Sequence, residues 1–310
     1  MKIAHLSDLH ICQKSRPGNI KNTELLLQYA LAQGTDHFAI TGDLIHLAND
    51  DDFYELRTLF NKYDLMDPAR LTLVIGNHDI YGGVHLAEDV VKFPQTCLNV
   101  DYNKKVESFN KYFFEAFENC YVYSTEMGYP FVKTIDNVAL IGINSTTHYS
   151  ILKNPFASKG FVNKYQIAGI RHIMGRLHQQ NKVKIVMMHH HFKRQNLNDS
   201  LFRNSMLKNV EDLANNLWRK NRLLKVLRRY KVDLILHGHE HYSGEYVHRK
   251  LHMLNAGGSI DKNEPGELKI NFIDVDGNTY RTEIRTLRIH EMMTLKNVAR
   301  EHSEQGVLVS

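Results

Sequence analysis

The sequence predicts a layered α/β domain, and three observations point to it. Short apolar runs, rich in β-branched residues, recur from Ile3 to Leu236. Amphipathic helical patterns lie between them. Polar clusters of Asp, His, Asn and Gly stand at the ends of five of the runs. Alternation of strand and helix favours helices layered on sheets.

Taken in order, Ile3 to Leu6, His37 to Ile40, Leu71 to Ile75, Val138 to Ile143, Val183 to Met188 and Val232 to Leu236 read as strands, being short, apolar and bounded by polar residues. Glu24 to Ala32, Asp51 to Tyr63, Val106 to Phe117, Tyr165 to Gln179 and Val210 to Tyr230 carry apolar residues at helical spacing. Within the third of these, Phe109, Tyr112, Phe113 and Phe117 are expected in the core. Leu251 to Asn255, Leu268 to Val275 and Tyr280 to Leu287 read as strands, with Asp276-Gly277 as a hairpin turn between the last two. The C-terminal part therefore reads as antiparallel, as the second sheet of a sandwich would. One domain over 1–287 is expected, with 288–310 as a tail or short helix. Residues 192–209 read as a long polar insertion, and loops of that length in a compact domain are usually functional or mobile.

The bulk numbers exclude several classes. At 310 residues the chain can bury a full core. Its hydrophobic fraction of 43% and charged fraction of 24% are ordinary for a globular protein. A net charge of +5 suits an anionic substrate, but no strong basic stripe stands out, so nucleic acid is not an expected partner. Cys12, Cys97 and Cys120 match no zinc or redox spacing and suit a reducing compartment. No signal peptide or membrane-length apolar run is seen, so a soluble cytoplasmic protein is expected, with peripheral membrane contact left open.

Nineteen histidines are many, and histidine is the commonest metal-ligating side chain. Asp8-Leu9-His10 follows the first strand, Gly42-Asp43 the second and Gly76-Asn77-His78-Asp79 the third. His189-His190-His191 follows the Val183 strand, and Gly238-His239-Glu240-His241 the Val232 strand. Sites in open α/β sheets form outside the carboxyl ends of strands, so these clusters are placed to converge. Their oxygen and nitrogen donors suit Mn, Fe, Zn or a similar divalent ion. One carboxylate can bridge two ions about 3.5–4 Å apart, the clamp used for displacement at phosphorus.

The order D-x-H, G-D, G-N-H-D, H-H, G-H-x-H, from Asp8 to His241, resembles that of the calcineurin-like metallophosphoesterases. The resemblance implies a four-layer α/β/β/α sandwich with two mixed sheets and a site for two divalent metal ions. It implies that Asp8, His10 and His241 hold one ion, that Asn77, His189 and His239 hold the other, and that Asp43 bridges. His78 would stabilise the transition state or protonate the leaving oxygen, with a metal-bound hydroxide as nucleophile. The resemblance selects His189 from its run, with His190 and His191 as alternatives. Relatives often follow this motif with proline, where this chain has His191-Phe192. Asp79 is expected to orient backbone or His78, His46, which follows the Asp43 turn, to be structural with lining the site as the alternative, and His5 and His37 to be packed or surface residues. Lys193, Arg194 and Arg203 are candidate substrate contacts at the rim.

The expected function is hydrolysis of a phosphodiester or phosphoanhydride in a small phosphorylated substrate. The motif style is similar to the cyclic-nucleotide phosphodiesterase branch and to UDP-diacylglucosamine hydrolases. The alternative is a non-catalytic binding scaffold of the same fold, which should lack ligands that this chain retains.

Overall fold

The computed structural model describes residues 1–83, 87–123, 127–178, 180–192, 217–260 and 264–292. Twelve strands among them form two mixed sheets. The first sheet joins β1 (Lys2–Leu6), β2 (His37–Thr41) and β3 (Leu71–Val74) in parallel, and adds β11 (Glu267–Asp276) and β12 (Thr279–Arg288) antiparallel beyond β1. The second runs in the order β4 (Cys120–Val122), β5 (Phe131–Ile135), β6 (Val138–Gly142), β7 (Val183–Met187), β8 (Leu234–His237), β10 (Leu251–Ala256) and β9 (Ser243–His248). Its central strands, β6 to β8 and β10, are parallel.

The helices are α1 (Gly18–Ala32), α2 (Asp50–Lys62), α3 (His78–Tyr81), α4 (Ala87–Leu98), α5 (Tyr102–Tyr112), α6 (Lys164–Leu177) and α7 (Asn221–Arg229). Local chemistry starts several of them. The Asn49 side chain accepts from the Asp52 amide at the head of α2, where Asp50, Asp51 and Asp52 face the positive end of the helix dipole. Asn163 caps α6 in the same way, accepting from the Gln166 amide. The aromatic run divides: α5 ends at Tyr112 and a 3₁₀ turn follows over Phe114–Phe117, with Phe109 and Phe113 fully buried.

Two apolar cores explain the layering. Along β6 to β8 the side chains alternate. Leu140, Ile185, Leu234 and Leu236 join a core shared with Ile3, Leu6, Phe38, Ile40, Leu73 and the inner faces of α1, α2 and α5. Ile141, Val186 and Ile235 point the other way, into a second core with Ile170 and Ile173 of α6 and Leu223, Leu224 and Leu227 of α7. The period-two alternation of a strand buried on both faces produces this division.

The last strands depart from expectation. The β11–β12 hairpin does not build the second sheet. It adds to the first at β1, pairing Ile3 with Ile273, because the buried run from Ile270 to Ile273 needs neighbours on both faces. β10 lies in the other sheet, parallel to β8. β4, β5 and β9 were not read from the sequence, nor were α3 and α4. Among the described residues no helix is long and apolar enough to cross a membrane.

Candidate metal centre

The carboxyl ends of β1, β2 and β3 in one sheet and of β7 and β8 in the other meet in one place. Asp8, His10, Asp43, Asn77 and His189 are buried there, with His78, His239 and His241 partly exposed. Asp43 stands at the middle. Its Oδ2 lies 3.2 Å from His189 Nε2, 3.9 Å from His10 Nε2 and 4.0 Å from His78 Nε2. On one side, His241 Nε2 is 3.7 Å from Asp8 Oδ1 and 3.2 Å from His10 Nε2. On the other, His189 Nε2 is 3.1 Å from both Asn77 Oδ1 and His239 Nδ1. Ligand atoms of Asp8, His10 and His241 form one tight group, and those of Asp43, His189 and His239 another.

The backbone is bent to make this possible. Asp8, His10, Asp43, His239 and His241 all adopt left-handed conformations, with φ between 45° and 72°. Each costs a non-glycine residue about 1 kcal/mol or more, and such strain persists where surrounding structure imposes it. The glycines allow the close approach. A Cβ on Gly76 would fall 2.2 Å from the Asp43 amide nitrogen, and one on Gly238 would fall 1.8 Å from Ser7 Oγ.

Partners around the cluster fix its orientation. His189 Nδ1 donates to the Thr41 carbonyl at 2.8 Å, which turns Nε2 toward Asp43 and Asn77. The Asp43 Oδ1 accepts from the His78 amide at 2.8 Å, so Oδ2 is turned inward. Asp8 accepts from the His239 amide. Asp79 accepts from the amides of Ile45 and Gly76 and so braces the loops after β2 and β3. Of the three consecutive histidines, only His189 faces Asp43. His190 donates from Nε2 to the Ser158 carbonyl and accepts at Nδ1 from the Ser145 hydroxyl, so both its nitrogens are engaged elsewhere.

Burial pushes the Asp8 carboxyl up to about 7 and, with Asp43 nearby, the Asp79 carboxyl up to about 8. Burial opposes charge on His189 as well, but the Asp43 carboxylate, together with Asp8 and the Thr41 carbonyl, outweighs it and lifts the imidazole to about 9. Burial would raise Asp43 too, but His189 and His78 hold it well below the usual range. Burial keeps His10, His78 and His239 neutral. Buried carboxylates beside imidazoles with converging nitrogens are the donor set that divalent cations take.

Two features carried no motif. His46 is buried against His10 and His78, its ring stacked on that of His78 at 5.2 Å, and the ligand atoms of the three form a further tight group. The loop after β6 brings Ser145 and Ser158 onto His190. Beside it opens a cleft of about 200 Å³ lined by Tyr102, His148, Phe161, Tyr165, Asn144 and Gln166, among others. Only the fold places these residues, since ordinary loop serines, tyrosines and amides announce nothing. Lys193, Arg194 and Arg203 lie outside the described residues.

A family model for calcineurin-like phosphoesterases matches residues 1–243. A dimetal phosphatase from Danio rerio superposes with a TM-score of 0.58 at 11% identity, covering 93% of this chain and 99% of that one. A purple acid phosphatase from yellow lupin seeds superposes with a TM-score of 0.57 at 12% identity, covering 92% of this chain and 51% of that one. At such identities the likeness is one of fold. A sequence search of curated proteins gave no significant match.

Proposed function

The chain belongs to the calcineurin-like phosphoesterase family, and on that premise we propose that it is a two-metal hydrolase of a phosphodiester or phosphoanhydride. The observation that carries this reading is Asp43, a single buried carboxylate facing His189, His10 and His78 at 3.2–4.0 Å. Asp8, His10 and His241 would hold one ion, and Asn77, His189 and His239 the other, with Asp43 between. Divalent ions in such a pair supply Lewis acidity toward phosphate oxygens and an activated water.

The protein's own part is orientation and proton handling. Asp43 is held in register by the His78 amide, and His189 by the Thr41 carbonyl. His78 has its Nδ1 toward the His46 carbonyl at 3.4 Å and its Nε2 toward the cluster. There it would meet the leaving oxygen, stabilising charge or delivering a proton. Exclusion of water by the buried residues would strengthen each of these interactions.

The substrate reading rests on the cleft beside the loop after β6. The rings of Tyr102, His148, Phe161 and Tyr165 suit a planar ring, and a nucleotide moiety supplies one alongside a phosphate. Cyclic nucleotides and UDP-diacylglucosamine are therefore the first candidates. The test is a hydrolysis screen with added Mn²⁺ across aryl mono- and diesters, cyclic nucleotides and UDP-linked lipids, with metal content measured on the same protein. Turnover of diesters or anhydrides supports the reading. Metal binding without turnover of any ester would favour a scaffold.

A further inference from the structure

Residues 137–192 and 217–232 contain fourteen Lys and Arg and no Asp or Glu, while the other stretches of the chain hold all 34 acidic residues. Along the sequence these cations look scattered. In the fold they gather, because α6 and α7 pack side by side on the outer face of the second sheet with their apolar faces buried in one core. Arg171 of α6 and Arg222, Lys225, Arg228 and Arg229 of α7 are exposed on that layer. None of them forms an ion pair with a described residue, whereas Arg57 and Lys62 elsewhere do.

At the end of this layer nearest the metal centre, the surface turns apolar. Leu152 is 92% exposed, Ile151 56%, Phe156 52% and Trp218 41%. Loose structure does not explain this exposure. The loop is built around buried Asn154, whose backbone amide donates to the Ser150 carbonyl and whose side-chain oxygen accepts from the Lys159 amide. Trp218 is fastened to it, its amide donating to the Gly160 carbonyl and its ring 5.4 Å from that of Phe161. Lys153 and Lys159 stand in the same loop and Arg219 follows Trp218, with the Arg219 guanidinium over the Trp218 ring at 4.3 Å. The same loop anchors on His190, whose ring lies 5.1 Å from that of His189.

We propose that this face, formed by Ile151, Leu152, Phe156 and Trp218 within the basic layer of α6 and α7, docks on an anionic phospholipid bilayer. Exposed aliphatic tips in a loop that also carries cations match the boundary between acyl chains and acidic headgroups, and tryptophan favours that depth. The acid-free layer behind them supplies attraction to anionic lipid that salt screens. Aliphatic tips such as Leu152 would have no use against a nucleic-acid backbone, which is read by charge and stacking. Docking is independent of the phosphoesterase reading, and it brings the mouth of the metal centre to the membrane surface.

Trp218 is the single tryptophan of the chain and reports directly on this face. The full chain is titrated with vesicles of phosphatidylcholine alone and of phosphatidylcholine with about one third phosphatidylglycerol, the anionic component recruiting the basic surface. Only the anionic vesicles should co-sediment with the protein. They should shift Trp218 emission to the blue, and brominated acyl chains should quench it. Ile151→Ser, Leu152→Ser and Phe156→Ser together should weaken binding at least about tenfold. A second variant, with Lys153, Lys159 and Arg219 changed to Gln, should bind weakly and lose its sensitivity to salt. Both should keep the wild-type circular dichroism. No sedimentation with anionic vesicles at low salt overturns the proposal. So does unchanged Trp218 emission on bound protein, as when another face docks or when residues 193–216 or a second copy cover the patch. Equal binding by both variants, or displacement of vesicles by short DNA with no quenching by brominated chains, overturns it as well.

Discussion

At the residue scale the site depends on single atoms. Asp43→Ala removes the carboxylate that faces both halves of the cluster, so bound metal and turnover should fall together. Elemental analysis and a diester assay on the same sample check this, and a variant that keeps two ions per chain at normal rates refutes the bridging role. His78 lies at the rim, and its Nε2 is farther from Asp43 than that of His189. His78→Ala should retain metal and lower kcat by roughly 10²–10⁴-fold, less for esters with good leaving groups. Equal losses for aryl and alkyl leaving groups would exclude proton delivery. Away from the site, His37 is fully buried between the Ala69 carbonyl (2.7 Å) and the Thr72 hydroxyl (2.9 Å), and burial pushes its imidazole down to about 4. The folded state therefore holds His37 neutral, while the unfolded chain protonates it below about pH 6.5. Its contribution is fully present above that pH and is lost as pH falls toward 4, by up to about 3 kcal/mol. Urea unfolding midpoints between pH 7 and 4 should fall less steeply for His37→Gln than for the parent.

At the element scale, one buried cation ties the sheets together. Lys133 of β5 donates to the carbonyls of Pro68, Leu71 and Ala116 at 2.7–2.8 Å, linking the second sheet to the entry of β3 and to the 3₁₀ turn. Burial pushes this ammonium down to about 8, so the three carbonyls hold a proton that the interior disfavours. Lys133→Met would fill the space and leave three acceptors without a donor. The loss of those bonds outweighs the relief of desolvation, and a cost of about 2–4 kcal/mol is expected. Chemical denaturation checks this, and a neutral or stabilising result would mean that water replaces the ammonium. Of the strands that escaped the sequence reading, β4 and β9 lie at the edges of the second sheet, while β5 is internal, its apolar run interrupted by Lys133 and Thr134. β4 covers three half-exposed residues, and β9 carries only Tyr246 and Val247 as large apolar residues, side by side and with Val247 exposed. Edge strands need little burial, so they leave little periodic signal.

At the scale of the whole molecule, the candidate metal centre joins the carboxyl ends of strands from both sheets. Metal bound only by the folded state should stabilise it by about 2.7 kcal/mol at a hundredfold excess over Kd. Chelation followed by dialysis should therefore lower Tm, and adding Mn²⁺ or Zn²⁺ should restore it. The Asp43→Ala protein should show no such recovery. A Tm indifferent to chelator and metal would mean that the cluster holds its geometry by protons alone, as the raised carboxyl values of Asp8 and Asp79 permit.

The sequence by itself determined the alternation of buried strands and helices and the five polar clusters at strand ends, because both are local. A strand buried on both faces must read as an apolar run, and a tight turn at its end must carry glycine beside the reactive residue, as Gly76 does beside Asn77. The expectation that Asp79 orients backbone or His78 resolves to backbone, since its carboxylate accepts from the Ile45 and Gly76 amides. Only the tertiary structure decided which of His189, His190 and His191 turns inward, since side-chain direction at the end of β7 depends on the Thr41 carbonyl and on Ser145 and Ser158, all distant in sequence. It alone sent the β11–β12 hairpin to the first sheet, because pairing with β1 is a long-range choice between two edges that look alike in one dimension. It alone assembled the basic face, for charges on α6 and α7 become neighbours only when their apolar sides share a core.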